Sequence, residues 1–213
     1  MCSRRIGVAV ARRRPVRRED LEELHYITPI SNIPSICELG ILSNRRAAQV
    51  KHASVAMAEI QDRRSKVTVP GGRRLHEYAN LYICGRNPML YKRRAQHEQL
   101  CVVTVSPEVL DLAGVVITDA NASADGLYVK FVPAPAGLRI VDQELTFAEY
   151  WTHPDAIEYY RRKSKKCAEV LVPDGVDPKF LTGAYVSCDQ ALAAFDEHGV
   201  ELEATVNRYL FFR

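Results

Sequence analysis

Paired cysteines, a glycine-rich phosphate loop and a long apolar run are all missing from this 213-residue sequence, and each absence removes a class of function. The six cysteines, Cys2, Cys37, Cys84, Cys101, Cys167 and Cys188, are scattered with no CxxC among them. In a chain of this length that spacing points to reduced thiols in a cytoplasmic setting, not to a disulfide framework. Neither GxGxxG nor GxxxxGK followed by Ser or Thr occurs, which excludes the common phosphate-cradling loops. The stretch HEYAN at 76–80 opens like the zinc motif HExxH but has Asn80 where the second histidine belongs. No other histidine spacing suggests a ligand set, so no metal is expected. No apolar stretch approaches the roughly 20 residues of a membrane-spanning helix, so no membrane partner is expected either.

Acids are missing from one region in particular. Residues 1–18 hold Arg4, Arg5, Arg12, Arg13, Arg14, Arg17 and Arg18 and no acid, while the whole chain is only +3. The remainder is therefore net negative, and the chain divides into a basic arm over 1–18 and a single domain over 19–213. The arm has three readings: an extension holding nucleic-acid phosphates, an Arg-rich transit segment, or a dispensable solvated terminus.

Hydrophobic residues make up 47% of the sequence, enough for an ordinary core. LHYIT (24–28), NLYIC (80–84), QLCVVTV (99–105), GVVITD (114–119), LYVKFV (127–132), AEVLV (168–172), GAYVSC (183–188) and NRYLFF (207–212) have strand character. Helices are expected over SNIPSICELG (31–40), SVAMAEIQDRR (54–64), RNPMLYKRR (86–94), TFAEYW (146–151), DAIEYYRR (155–162) and DQALAAFDEHG (189–199), with Gly40 and Gly199 as stops. Helices come early and strands late, without βαβ alternation. That pattern favours α+β with antiparallel or mixed sheets.

Four places are more polar than their local structure requires. His25, Thr28 and Asn32 lie where a strand end meets a helix start, which suits an amide or phosphate ligand but also suits simple capping. Arg63 and Arg64 close a helix, where cations need no function beyond complementing its dipole. Tyr82 and Tyr91 flank a turn, as core edges or as stacking surfaces for a planar ring. Glu169 lies inside the apolar run Cys167–Val172, directly after the cation-rich stretch RRKSKK. A buried carboxylate needs a partner or a purpose, so Glu169 is either half of an ion pair or part of a site.

Taken in order, LHYITPISNIPSICELGILS, HASVAMAEIQDRR, NLYICGRNPMLY and CAEVLVPDGV resemble the DarT family of DNA ADP-ribosyltransferase toxins. The resemblance spans residues 24–175, most of the chain. It implies an ADP-ribosyltransferase-like fold with a split, mostly antiparallel β core flanked by helices. It implies NAD as substrate, with no metal, contacted by His25, Thr28 and Asn32, and with Tyr82 on the cofactor-binding side. It places the family's catalytic glutamate on Glu169 and its functional arginine on Arg63, with Arg64 adjacent. The segment Trp151–Lys166 falls where the family reads its target, as a loop. Tyr159, Tyr160, Arg161, Arg162, Lys165 and Lys166, together with the cations at 92–94, then suit a groove for single-stranded DNA, with thymidine or guanosine as the modified base. The family further implies a macrodomain antitoxin as partner. Transfer to RNA or protein, and a non-catalytic nucleic-acid-binding domain, are the alternatives.

Overall fold

The computed structural model describes residues 14–54, 58–124 and 128–213. In chain order the elements are β1 (Leu24–Pro29), α1 (Ile33–Leu39), β2 (Ile41–Leu42), α2 (Asn44–Ala47), α3 (Ala58–Ser65), β3 (Tyr78–Tyr82), α4 (Pro88–Lys92), β4 (Leu100–Val105) and β5 (Val116–Thr118). There follow β6 (Phe131–Pro133), α5 (Gln143–Phe147), α6 (Ala156–Lys165), β7 (Glu169–Pro173), β8 (Gly175–Val176), β9 (Leu181–Val186), α7 (Asp189–Asp196) and β10 (Ala204–Val206).

Eight strands form one sheet in the order β10-β9-β4-β1-β3-β7-β5-β6, antiparallel except for the parallel pair β9–β10. The central strand β4, LCVVTV, is buried at every position, as expected of a strand covered on both faces. One face carries the main core, where Val103, Val170 and Leu81 pack with Ile33 and Ile36 of α1 and Phe195 of α7. Burying such side chains contributes about 1.5–3 kcal/mol each. Helix α1 stops at Gly40, whose φ of +79° and close approach to the Val176 carbonyl leave no room for a side chain. The opposite face carries two smaller apolar clusters, one around Ile27, Leu90 and Val102 and another around Val69, Tyr78 and Leu171.

The expected split in the β core takes a specific form. Strand β1 pairs with β4 over six residues and β3 with β7 over five, yet β1 and β3 share one register pair, His25 with Tyr82. Beyond that rung the two strands diverge.

Several sequence expectations need correction. NRYLFF is not a strand: β10 occupies Ala204–Val206 instead, and 207–212 folds as turns that bury Phe211. Of LYVKFV, Leu127 is not among the described residues and 128–130 lie outside the sheet, because pairing with β5 begins only at Phe131. Helix α5 ends at Phe147, short of Trp151. The described end of the basic arm is not free: Val16 is buried in the main core and its N–H donates to the Val141 carbonyl at 3.3 Å. The arm's other residues, 1–13, lie outside the described residues, as do Val55, Ala56 and Met57 of the expected second helix.

Candidate active site

Glu169 is fully buried at the start of β7. Directly opposite residues of antiparallel strands project to the same face, so the rung that joins Glu169 to Tyr82 and Tyr82 to His25 aligns three polar side chains across β7, β3 and β1. They lie on the sheet face opposite the main core.

Glu169 is held by hydrogen bonds from three directions. Arg64 Nη1 donates to both carboxylate oxygens, at 3.1 and 3.0 Å. The Ala122 N–H donates to Oε1 at 3.4 Å, and the Glu169 N–H donates to Thr118 Oγ1 at 3.1 Å. Burial pushes the Glu169 carboxyl above its ordinary range, while Arg64 and the Ala122 amide oppose that rise. Burial, and next the Glu169 charge, hold the Tyr82 phenol well above its usual range, so it stays protonated.

The arginine that meets Glu169 is Arg64, whereas the resemblance pointed to Arg63. Adjacent helical residues point about 100° apart, so only one can face the sheet. Arg64 shares a face of α3 with Ile60, four residues earlier, and both line the cleft above Glu169. Arg63 is only part-buried and does not line that cleft.

The cleft opens where β1 and β3 diverge. Tyr26–Pro29 line one side, and Tyr78, Asn80 and Tyr82 the other. Asn44 of α2, His52 and Ala53, and Gln61 and Arg64 of α3 form a further wall, and Asn121 closes the end nearest β5. Thr28 is in the wall as expected. His25 lies just outside it, with its ring packed on Gly85, where a Cβ would come within 2.6 Å. The His25 Nε2 is 3.1 Å from Glu23 Oε1, and its Nδ1 is buried without a partner. An orphaned ring nitrogen beside a polar cleft fits an amide group of a ligand.

Asn32 does not line the cleft. Its Nδ2 donates to Thr28 Oγ1 at 3.0 Å and to the Ala53 carbonyl at 2.7 Å, and its Oδ1 accepts from the Ala53 N–H at 2.8 Å. With its amide committed in this way it does not cap α1; it fastens the Ala53 wall to β1.

The six residues expected to meet DNA do not form a free basic loop. From Ala156 the segment is α6, begun by the Asp155 carboxylate accepting from the Glu158 N–H at 2.8 Å. Glu158 accepts from Arg161 at 2.7 and 2.8 Å and from Arg162 at 2.9 Å. Those hydrogen bonds hold its carboxyl down at about 2. Lys165 pairs with buried Asp119. Lys166 is fully buried, donating to the Thr146 carbonyl at 3.2 Å and lying 3.5 Å from Cys84 Sγ. Burial lowers the Lys166 ammonium pKa, and no such group reaches a phosphate. Tyr159 packs edge-on against Tyr160, and Tyr160 alone of the six is exposed. The helix expected over 155–162 is present and runs on to Lys165, whereas the loop implied by the resemblance is not; the pairing of its cations was hidden because Asp119 is remote in sequence.

Away from the cleft, His97, Glu98 and Cys188 bring possible metal-ligand atoms within 4.8 Å of one another. They take no part in the cleft.

Comparison with known proteins agrees with this geometry. The family model described as DarT, ssDNA thymidine ADP-ribosyltransferase, matches residues 25–212. A DNA ADP-ribosyl transferase–DNA ADP-ribosyl glycohydrolase fusion protein of Thermosipho africanus is 34% identical over 173 residues, covering 78% of this chain. The chain spans 42% of that fusion's length. A DNA ADP-ribosyl transferase of Thermus sp. is 31% identical over 160 residues, covering 70% of this chain and 73% of the relative. The solved structure of Thermus sp. DarT with ADP-ribosylated ssDNA superposes with a TM-score of 0.77 at 24% identity, over 93% of this chain and 99% of that one. The same Thermus protein in complex with NAD+ gives 0.71 at 22% identity, over 89% and 96%. With a family model matched from the His25 rung to the C-terminal turns and the α+β sheet shared, this chain belongs to the DarT family of ssDNA thymidine ADP-ribosyltransferases.

Proposed function

We propose that the protein transfers ADP-ribose from NAD to thymidine in single-stranded DNA and acts as a toxin. The observation that carries this reading is a carboxylate, Glu169, fixed on a strand and buried against Arg64 and Tyr82, which line the polar cleft that Glu169 itself does not line. NAD supplies an ADP-ribosyl group on which positive charge develops at the ribose carbon as nicotinamide departs. Glu169 provides negative charge already oriented for that change, so little reorganisation accompanies the reaction. Strand β7 holds it more rigidly than a loop could.

Arg64 uses Nη1 alone for the carboxylate. The remainder of its guanidinium is available to a phosphate or a ribose hydroxyl. Thr28 and His25 offer a hydroxyl and an unpartnered ring nitrogen to the carboxamide end, and Tyr82 offers a protonated phenol on the same face. An acceptor base must leave its stack to reach Glu169, which suits a single strand better than a duplex. Asn121, at the β5 end of the cleft, is positioned to meet the incoming base.

The Thermosipho relative joins a transferase to a DNA ADP-ribosyl glycohydrolase in one chain. By that analogy a DNA ADP-ribosyl glycohydrolase, the expected macrodomain antitoxin, is the partner that reverses the modification here. No helix among the described residues is long and apolar enough to cross a membrane.

The test is mass spectrometry of nucleosides after incubation with NAD and mixed-sequence single-stranded DNA. ADP-ribosylated thymidine is expected from the wild type and not from Glu169→Gln. Modification of RNA or protein alone, or transfer retained in Glu169→Gln, would overturn the proposal.

A further inference from the structure

The cations placed by sequence on a DNA-facing run are paired with Glu158 and Asp119 or, for Lys166, buried, yet a different surface next to the cleft combines exposed rings with unpaired positive charge. Arg86 is its centre. The guanidinium lies 4.2 Å from the Tyr209 ring centroid and 3.9 Å from that of Phe212, and also donates to the Tyr209 carbonyl. Phe212, Tyr91 and Trp151 form a mutual edge-to-face triangle, with centroids 5.0 to 6.0 Å apart. Arg94 stacks over the Tyr91 ring at 4.2 Å. Tyr150 immediately precedes Trp151 of that triangle and is exposed. Tyr209 and Tyr150 are 59% and 64% exposed, far above what rings retained only for packing require.

This surface is continuous with the proposed active site. Phe212 packs in the apolar cluster that also holds Tyr82 and Met89, and both of those line the cleft. Arg86 follows Gly85, on which the His25 ring rests. Lys92 and Arg94 are exposed on the same short helical stretch and make no ion pair among the described residues. Rings that stay outside the core, cations already lying flat against rings, and adjacency to Glu169 suit one kind of ligand. Bases stack on aromatic faces and on guanidinium planes, and their linking phosphates need cations alongside.

We propose that Tyr209, Tyr150 and Tyr91, with Arg86, Arg94 and Lys92, form a stacking platform for the nucleotides that flank the acceptor base in single-stranded DNA. Arg86 ties the platform to the cleft; Tyr209 and Tyr150 present the faces on which flanking bases stack; Lys92 and Arg94 meet phosphates. This inference rests on the DNA-modifying activity proposed above. It relocates strand recognition from α6 to the surface formed by α4, the Tyr150–Trp151 turn and the C-terminal turns.

A platform acts only on acceptors long enough to cover it. Transfer would be measured on a tetranucleotide and on an oligonucleotide of about 16 bases carrying the same acceptor, a span within single-strand site sizes. Wild type is expected to show a KM about tenfold lower for the longer strand, as a stacked base would give. The double variant Tyr150→Ala, Tyr209→Ala is expected to lose that length advantage with its thermal midpoint little changed. Tyr209→Phe, which keeps the ring, is expected to retain it. A length advantage that persists in the alanine variant, or that is absent in wild type, overturns the platform while leaving the activity standing. Failure of wild type to modify either oligonucleotide overturns the activity itself and the platform with it.

Discussion

Arg64 and Glu169 meet through a single nitrogen: Nη1 donates to both carboxylate oxygens, at 3.1 and 3.0 Å, with both side chains almost wholly out of solvent. Removing one partner from such a pair leaves the other charged and uncompensated. Arg64→Ala is therefore expected to destabilise the fold by about 3 kcal/mol and to abolish transfer. Arg63→Ala, on a part-exposed side chain, is expected to stay within about 0.5 kcal/mol of wild type. Denaturant unfolding and transfer assays on the two variants check this; equal effects would show that the helix is rotated from its described position.

Acid pH separates two carboxylates by sign. Glu169 has a folded pKa above its ordinary 4.5, so the folded state keeps a proton that the unfolded chain has released. Its contribution to stability is full below 4.5 and is lost as pH rises through the higher folded value. Glu158 behaves oppositely: its contribution is present above 4.5 and is lost as pH falls towards about 2. Unfolding measured from neutral to acid pH in Glu169→Gln and Glu158→Gln is expected to change the pH slope in opposite directions.

The same burial sets the acid limb of the reaction. If the carboxylate form of Glu169 is the active one, transfer falls on acidification with a midpoint above 4.5. A rate that holds down to the ordinary glutamate range would remove Glu169 from the charge-stabilising role.

Asn32 acts on the cleft from behind. Asn32→Ala deletes the reciprocal bonds to Ala53 and is expected to cost about 1 kcal/mol, since the freed backbone groups belong to an exposed residue and can bond to water. The wall at Ala53 then loosens, so the KM for NAD should rise more than kcat falls. A fall in kcat with unchanged KM would instead make Asn32 part of the reacting centre.

Lys166→Met tests the reassignment of the basic run. Its charge is buried, so an apolar replacement of similar length should leave stability unchanged or raised. The salt dependence of single-stranded DNA binding should also be unaltered, whereas loss of a phosphate contact lowers the slope by about one.

Much of the fold was legible because burial leaves a period. The strands at 24–28, 99–105 and 168–172 were all readable from apolar spacing, and Glu169 stood out because it broke one of those runs. The choice between Arg63 and Arg64 was not encoded, since they stand at i+3 and i+4 from Ile60 and both spacings share a helix face. Lys166 carried no mark either: a lysine that ends a cation run looks solvated until Cys84 and Thr146 are brought over it from elsewhere in the chain. The turns at 207–212 misled for a related reason, since Phe211 enters the core without forming a ladder. His52, Asn44 and Asn121 gave little signal at all, because loops and the first residue of the one-turn helix α2 present them to the cleft without any periodic pattern.

The single rung between His25 and Tyr82 makes the middle of the sheet a seam. On either side of it the strands are knit by long ladders, while the facing stretches 26–29 and 78–81 look across an opening instead of bonding to each other. A molecule lodged there works as a keystone, bearing on both flanks at once. Substrate occupancy and the cohesion of the sheet then belong to one equilibrium, so filling the seam stiffens β3, the strand to which the carboxylate-bearing β7 is paired.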